Sequence, residues 1–82
     1  MMFRPGDIVR YQDILDIDLY IVKAVFKSKL YTKYKVCYLN NKAMLDKNIL
    51  IDPRPQIVRI RNSDINKWRL VTDEYSGRIQ GL

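Results

Sequence analysis

Residues Tyr31–Leu39 read YTKYKVCYL, and their strict alternation constrains the fold more than any other stretch. Thr32, Tyr34, Val36 and Tyr38 fall on one side of a period of two, and Lys33, Lys35 and Cys37 on the other. A helix cannot sort residues that way, because its neighbours recur at three and four positions. The pattern predicts a strand with one buried face and one cationic face.

The stretch before it, Leu19–Lys27, reads LYIVKAVFK. Two readings compete here. A helix over 12–29 would align Leu15, Leu19, Val22 and Phe26 in one stripe. A strand would set Tyr20, Val22, Ala24 and Phe26 against Ile21, Lys23, Val25 and Lys27. The dominance of Ile, Val, Tyr and Phe favours the strand. Lys29–Tyr31 then connects two paired strands as a hairpin. QIVRIR, residues 56–61, predicts another strand, with Val58 and Ile60 inward and Arg59 and Arg61 outward.

Punctuation fixes the remaining order. Pro5 and Gly6 turn the chain into a first strand over Asp7–Tyr11, because proline fixes φ and glycine frees it. No glycine follows until Gly77. Tyr11–Asp18 is an irregular acidic loop, and Asn40–Asn41 is a turn signal. Residues 42–50 fit either a short helix or a loop into a short edge strand, and Pro53 and Pro55 then exclude a central strand. NSDINK, residues 62–67, has the capping residues of one helical turn. WRLV, residues 68–71, is a last short strand. The predicted core is Val9, Tyr20, Val22, Phe26, Tyr34, Val36, Val58, Ile60, Ile65 and Leu70. The reading is one domain over 1–72 with a flexible tail over 73–82.

That order of elements resembles the Src-homology-3-like (SH3-like) small barrels. These include KOW-type and Tudor-like domains and many small bacterial and phage proteins. The resemblance is carried by Pro5-Gly6-Asp7-Ile8-Val9-Arg10 and by Ser63-Asp64-Ile65 before Trp68-Arg69-Leu70-Val71. It spans roughly residues 3–71, and implies a mainly β fold: a small antiparallel barrel of about five strands with a short helical turn before the last strand. Function inferred from that likeness alone is analogy.

Composition narrows the chemistry. The 82 residues include no histidine and one cysteine, Cys37, so there is no intramolecular disulfide and no histidine-based triad or metal cluster. Cys37, between Val36 and Tyr38, reads as a small hydrophobe beside the sheet. No phosphate-cradling glycine loop is present. Asp13, Asp16 and Asp18 lack the glycine and ligand spacing of a calcium loop. The expectation is a non-enzyme with no cofactor and no metal. No apolar run approaches the roughly 18–20 residues of a membrane helix, and Arg4, Pro5 and Asp7 break any leader pattern. A cytoplasmic protein is expected, and its wealth of Ile, Lys, Tyr and Asn suits an AT-rich bacterial or phage genome.

The net charge of +6 is unevenly spread. Residues 19–51 carry seven lysines against one aspartate, whereas residues 1–18 carry four aspartates and two arginines. If alternation holds, Lys23, Lys27, Lys33, Lys35, Arg59 and Arg61 all point outward, with Lys29 and Tyr31 at the edge. Phosphate backbones favour such a face, and Tyr31 or Tyr11 offers bases a stacking surface. Outward lysines also serve simply to keep strands soluble. The competing partner is a larger protein complex, contacted through the acidic loop Asp13–Asp18 and the corner Asp52–Pro55.

Overall fold

The computed structural model of the chain describes residues 2–12, 18–40 and 49–79. Five strands form one antiparallel sheet: β1 (Ile8–Tyr11), β2 (Leu19–Lys27), β3 (Tyr31–Asn40), β4 (Leu50–Arg61) and β5 (Trp68–Leu70). The order across the sheet is β4-β3-β2-β1-β5. A 3-10 turn, Asn62–Lys67, joins the two edge strands. The helix weighed over 12–29 does not form, since β2 occupies Leu19–Lys27. β-branched and aromatic side chains fit a pleated surface better than a helix turn, where they lose rotamer freedom.

The opening turn stands where Pro5 and Gly6 predict it. Gly6 has φ of +94°, a conformation that side chains with a Cβ rarely adopt. Its N–H donates to Val22 O at 2.8 Å, and the Asp7 carboxylate accepts from the Arg4 N–H at 2.8 Å. At the other end of the hairpin, Asn62 is a hub. Its Nδ2 donates to Ser28 O and Lys29 O at 3.2 and 3.0 Å, while its Oδ1 accepts from the buried Thr32 hydroxyl at 2.8 Å.

The core differs from expectation in being two-sided. One cluster joins Phe3, Val9, Val22, Tyr34, Val36 and Ile60, with Tyr20, Val58, Ile65 and Trp68 packed against it. On this tyrosine-bearing face it draws on both edge strands, on β4 through Val58 and Ile60 and on β5 through Trp68. The second cluster lies on the opposite face and joins Ile8, Leu19, Ile21, Cys37, Leu39, Ile49, Val71, Tyr75 and Ile79. The contiguous apolar runs Leu19–Val22 and Val36–Leu39 are what a strand covered on both faces requires.

Part of the cover comes from the expected flexible tail. Residues 73–79 do not hang free of the sheet. Thr72–Tyr75 forms a one-turn helix α1 and Ser76–Arg78 a 3-10 turn. Tyr75 and Ile79 are buried, and the Ile49 N–H donates to Arg78 O at 2.8 Å. Thr72 Oγ1 and Val71 N bond the backbone of Ile8 at 3.0 and 2.8 Å, tying the segment to β1.

Two residues assigned to the core are exposed instead. Leu70 sits on the three-residue edge strand β5 with 46% of its surface accessible. Phe26 is 55% accessible because the register slips within β2. Val22 pairs with Val36 and Ala24 with Lys35, which leaves Lys23 as a bulge. One extra residue inverts the alternation beyond it.

The segments expected as separate strands around Pro53 and Pro55 are one strand, β4, at the sheet edge, where a missing donor costs no ladder bond. The helix-or-loop question at residues 42–50 falls mostly on 41–48, outside the described residues.

Candidate nucleic-acid interface

Register decides which cations share a face, because directly opposed residues of an antiparallel pair project to the same side. Lys33 stands opposite Arg59 and also opposite Phe26. In the next row on that face, Lys35 stands opposite Ile57 and Ala24. Tyr31 stands opposite Arg61 at the end of the sheet. Lys33, Lys35, Arg59 and Arg61 therefore lie together, all exposed, with Tyr31 half-buried among them. The Arg59 guanidinium carbon lies 4.8 Å from the Tyr31 ring centroid, a cation–π contact that holds both side chains against the strand.

The face is also charge-uncompensated. Among the described residues the ion pairs are Arg54–Asp52, Lys67–Asp64 and Arg69–Glu74, and none involves these four cations. Like charges directly opposite one another destabilise a sheet. The patch adds two exposed apolar side chains, Phe26 and Ile57. At its end, Leu30, Tyr31, Arg61 and Ser63 line an open hollow of about 290 Å³.

Two of the six predicted cations fall elsewhere. Lys27 lies beyond the bulge and pairs with Thr32, so it belongs to the tyrosine face. There it lines a hollow of about 340 Å³ with Met2, Tyr34, Ile60, Asn62 and Ile65. Lys23 is the bulge itself, exposed but without a register partner on β3. Tyr11 is taken up by Trp68, whose ring centroid is 5.3 Å from its own, on the tyrosine face. In exchange the bulge brings Phe26 to the cationic face. No local sequence signal marks that bulge, since LYIVKAVFK reads equally well as unbroken alternation.

The alternative contact points have their own geometry. Asp13–Ile17 lies outside the described residues. Asp18 accepts a 3.3 Å bond from the Tyr38 hydroxyl. Burial, and then the charge of Asp18, raise the Tyr38 pKa above its usual value. Asp52, Pro53 and Arg54 form the irregularity where β4 passes β3 between Cys37 and Leu39. Arg54 Nε and Nη2 fork onto the two Asp52 oxygens at 3.1 and 2.8 Å, and the Arg54 N–H adds a 3.0 Å bond. The Arg54 side-chain bonds, followed by that backbone bond, lower the Asp52 pKa to about 2. Cys37 is buried in the second core cluster, where a thiol meets no solvent-borne substrate. Among the described residues, no three potential metal ligands come together, and no helix is long and apolar enough to cross a membrane.

Compared with protein-family models, curated proteins and solved structures, the chain matches none of them.

Proposed function

We propose that the protein is a small non-catalytic module that holds a nucleic-acid backbone on the face formed by Lys33, Lys35, Arg59 and Arg61. The observation that carries this reading is the opposed pair Lys33 and Arg59, flanked by two further cations with no carboxylate among the described residues to neutralise them. Anionic phosphates relieve that repulsion and release condensed counterions on binding. Tyr31 and Phe26 supply ring surfaces for unpaired bases, so single strands are the preferred substrate. Phosphate contacts carry no sequence information, and little sequence preference follows. The strand order and the 3-10 turn before β5 support the likeness to the SH3-like small barrels, and the buried unpaired Cys37 suits the reducing cytoplasm.

A second reading, an adaptor docking on a larger protein complex, is favoured by Phe26 and Ile57, which leave apolar surface exposed between the cations. Binding to single- and double-stranded oligonucleotides at two salt concentrations separates the two. Four phosphate contacts on a single strand give a slope of log affinity against log salt of roughly −3. No binding at low salt would remove the nucleic-acid reading and leave the adaptor.

A further inference from the structure

We infer that the open edge of β4, over residues 57–61, takes up an extended acidic segment of another protein as an added strand. β4 is an edge strand, and among the described residues it pairs with β3 alone. Two bonds fix the direction of its backbone groups. The Asn62 N–H donates to Leu30 O at 2.9 Å, so Asn62 turns inward across the hairpin. The Ser28 N–H donates to Tyr31 O at 2.9 Å, so Tyr31 turns away from β4. Along an antiparallel strand this direction alternates residue by residue. Val58 and Ile60 therefore bond Tyr34 and Thr32 on β3, whereas Ile57, Arg59 and Arg61 turn their N–H and C=O groups to the open side. Pro55 falls in the same outward set, at a position that suits a residue without an N–H.

An unpaired row of this kind is a template for a further strand unless the edge is guarded. Pro53 and Pro55 guard one end of β4, and no proline follows them. Gln56, Ile57, Arg59 and Arg61 are exposed, so no other segment of the chain covers this end. Arg59 does not screen it either. Its guanidinium carbon lies 4.8 Å from the ring centroid of Tyr31, which stands on β3, on the side away from the open edge.

Charge selects the occupant. Arg59 and Arg61 take part in none of the ion pairs among the described residues, and Lys33 adds a third cation opposite Arg59 on the same face. A strand laid against β4 sets alternate side chains beside Ile57, Arg59 and Arg61. Acidic residues there meet two cations. The intervening side chains fall on the face of Val58 and Ile60, which is apolar. The fitting segment therefore alternates acidic and β-branched residues. A second copy of this chain fits less well, because it brings a net charge of +6 onto a cationic surface. Main-chain bonds supply the affinity of such a contact and the side chains its selectivity. The contact is made by the backbone, so it stands whether or not the cationic face holds nucleic acid.

The test is amide hydrogen exchange on the full ¹⁵N-labelled chain, with a blocked hexapeptide of alternating glutamate and valine as the probe. In the free protein the amides of Ile57, Arg59 and Arg61 should exchange fast, and those of Val58 and Ile60 slowly. Saturating peptide should slow the first three at least ten-fold. A lysine–valine hexapeptide should not, nor should hexaglutamate, which carries charge without the alternation. Ile57→Pro removes one outward donor and no ladder bond, and should weaken the peptide roughly ten-fold. Lys33→Glu with Lys35→Glu alters no outward backbone group. The protection should survive that change while oligonucleotide binding falls, so that failure of the cationic face and failure of the edge are read separately. Slow exchange of the three outward amides in the free monomer, or an equal response to either control peptide, would overturn the proposal. Protection that grows with protein concentration alone would also overturn it, by assigning the edge to a second copy.

Discussion

Lys33 and Arg59 face each other directly across β3 and β4, two cations in register on one exposed surface. A cross-strand pair of like charges works against the fold, and an opposite-charge pair in the same place contributes about 0.2–1 kcal/mol. Lys33→Glu should therefore raise the urea midpoint slightly. Combined with Lys35→Glu, it should also lower affinity for all oligonucleotides alike. Lys27→Glu is the control, since Lys27 lies on the other face, and it should do much less. Equal losses from Lys27 and from the Lys33/Lys35 pair would indicate diffuse attraction with no defined face.

Asn62 ties the β2–β3 hairpin to the 3-10 turn. In Asn62→Ala the buried Thr32 hydroxyl and the carbonyls of Ser28 and Lys29 lose their side-chain partner. The Thr32 hydroxyl stays buried, and an unsatisfied buried group costs about 1–3 kcal/mol. Chemical denaturation should register a loss of about that size, and Asn62→Asp, which keeps the acceptor for Thr32, should recover part of it.

Ile79 reports on the C-terminal cover. Its side chain is buried in the second core cluster. Ile79→Ala should cost about 2–4 kcal/mol by the usual penalty for a cavity in a packed core. A free tail at residues 73–79 would make this change silent in thermal unfolding.

Gly6 supplies the positive φ at the entry to β1. A Cβ there meets nothing within 4 Å, so the cost of Gly6→Ala is conformational and not steric crowding. About 1–2 kcal/mol of stability should be lost, the penalty of a left-handed backbone for an L-residue. The same substitution at Gly77, where φ is not positive, should not carry that penalty.

Asp52 gives the fold an acid-side pH dependence. Its pKa is lowered from 3.8 to about 2 by the Arg54 fork and the Arg54 N–H. The folded state thus binds the proton less readily than the unfolded state. The contribution is present above about pH 4 and is lost as pH falls toward 2. Asp52→Asn should flatten stability against pH in that window, as followed by denaturant midpoints. An unchanged slope in the variant would show that the fork adds nothing.

The strands and the opening turn were legible in the sequence because each is set locally. β-branched residues and Pro5-Gly6 bias a few neighbouring dihedrals without help from the rest of the chain. The 3-10 turn stands at Asn62–Lys67, but its N-cap is Arg61 with no side-chain cap bond, and the Asn62 side chain bonds Thr32, Ser28 and Lys29 instead. Tyr31, Lys33 and Lys35 were correctly joined with Arg59 and Arg61 for the same reason, since period-two alternation is a property of each strand. What the tertiary structure alone decided is where that alternation breaks. Lys23 bulges because β2 is paired to β3 before and after it, and that register turns Phe26 out to the cationic face and Lys27 away from it. Burial of the second face was also decided over distance. Ile21, Cys37, Tyr75 and Ile79 are far apart in sequence, and no local pattern states that the last segment returns to cover the sheet. The apolar runs demanded a cover, and only packing chose which segment would supply it.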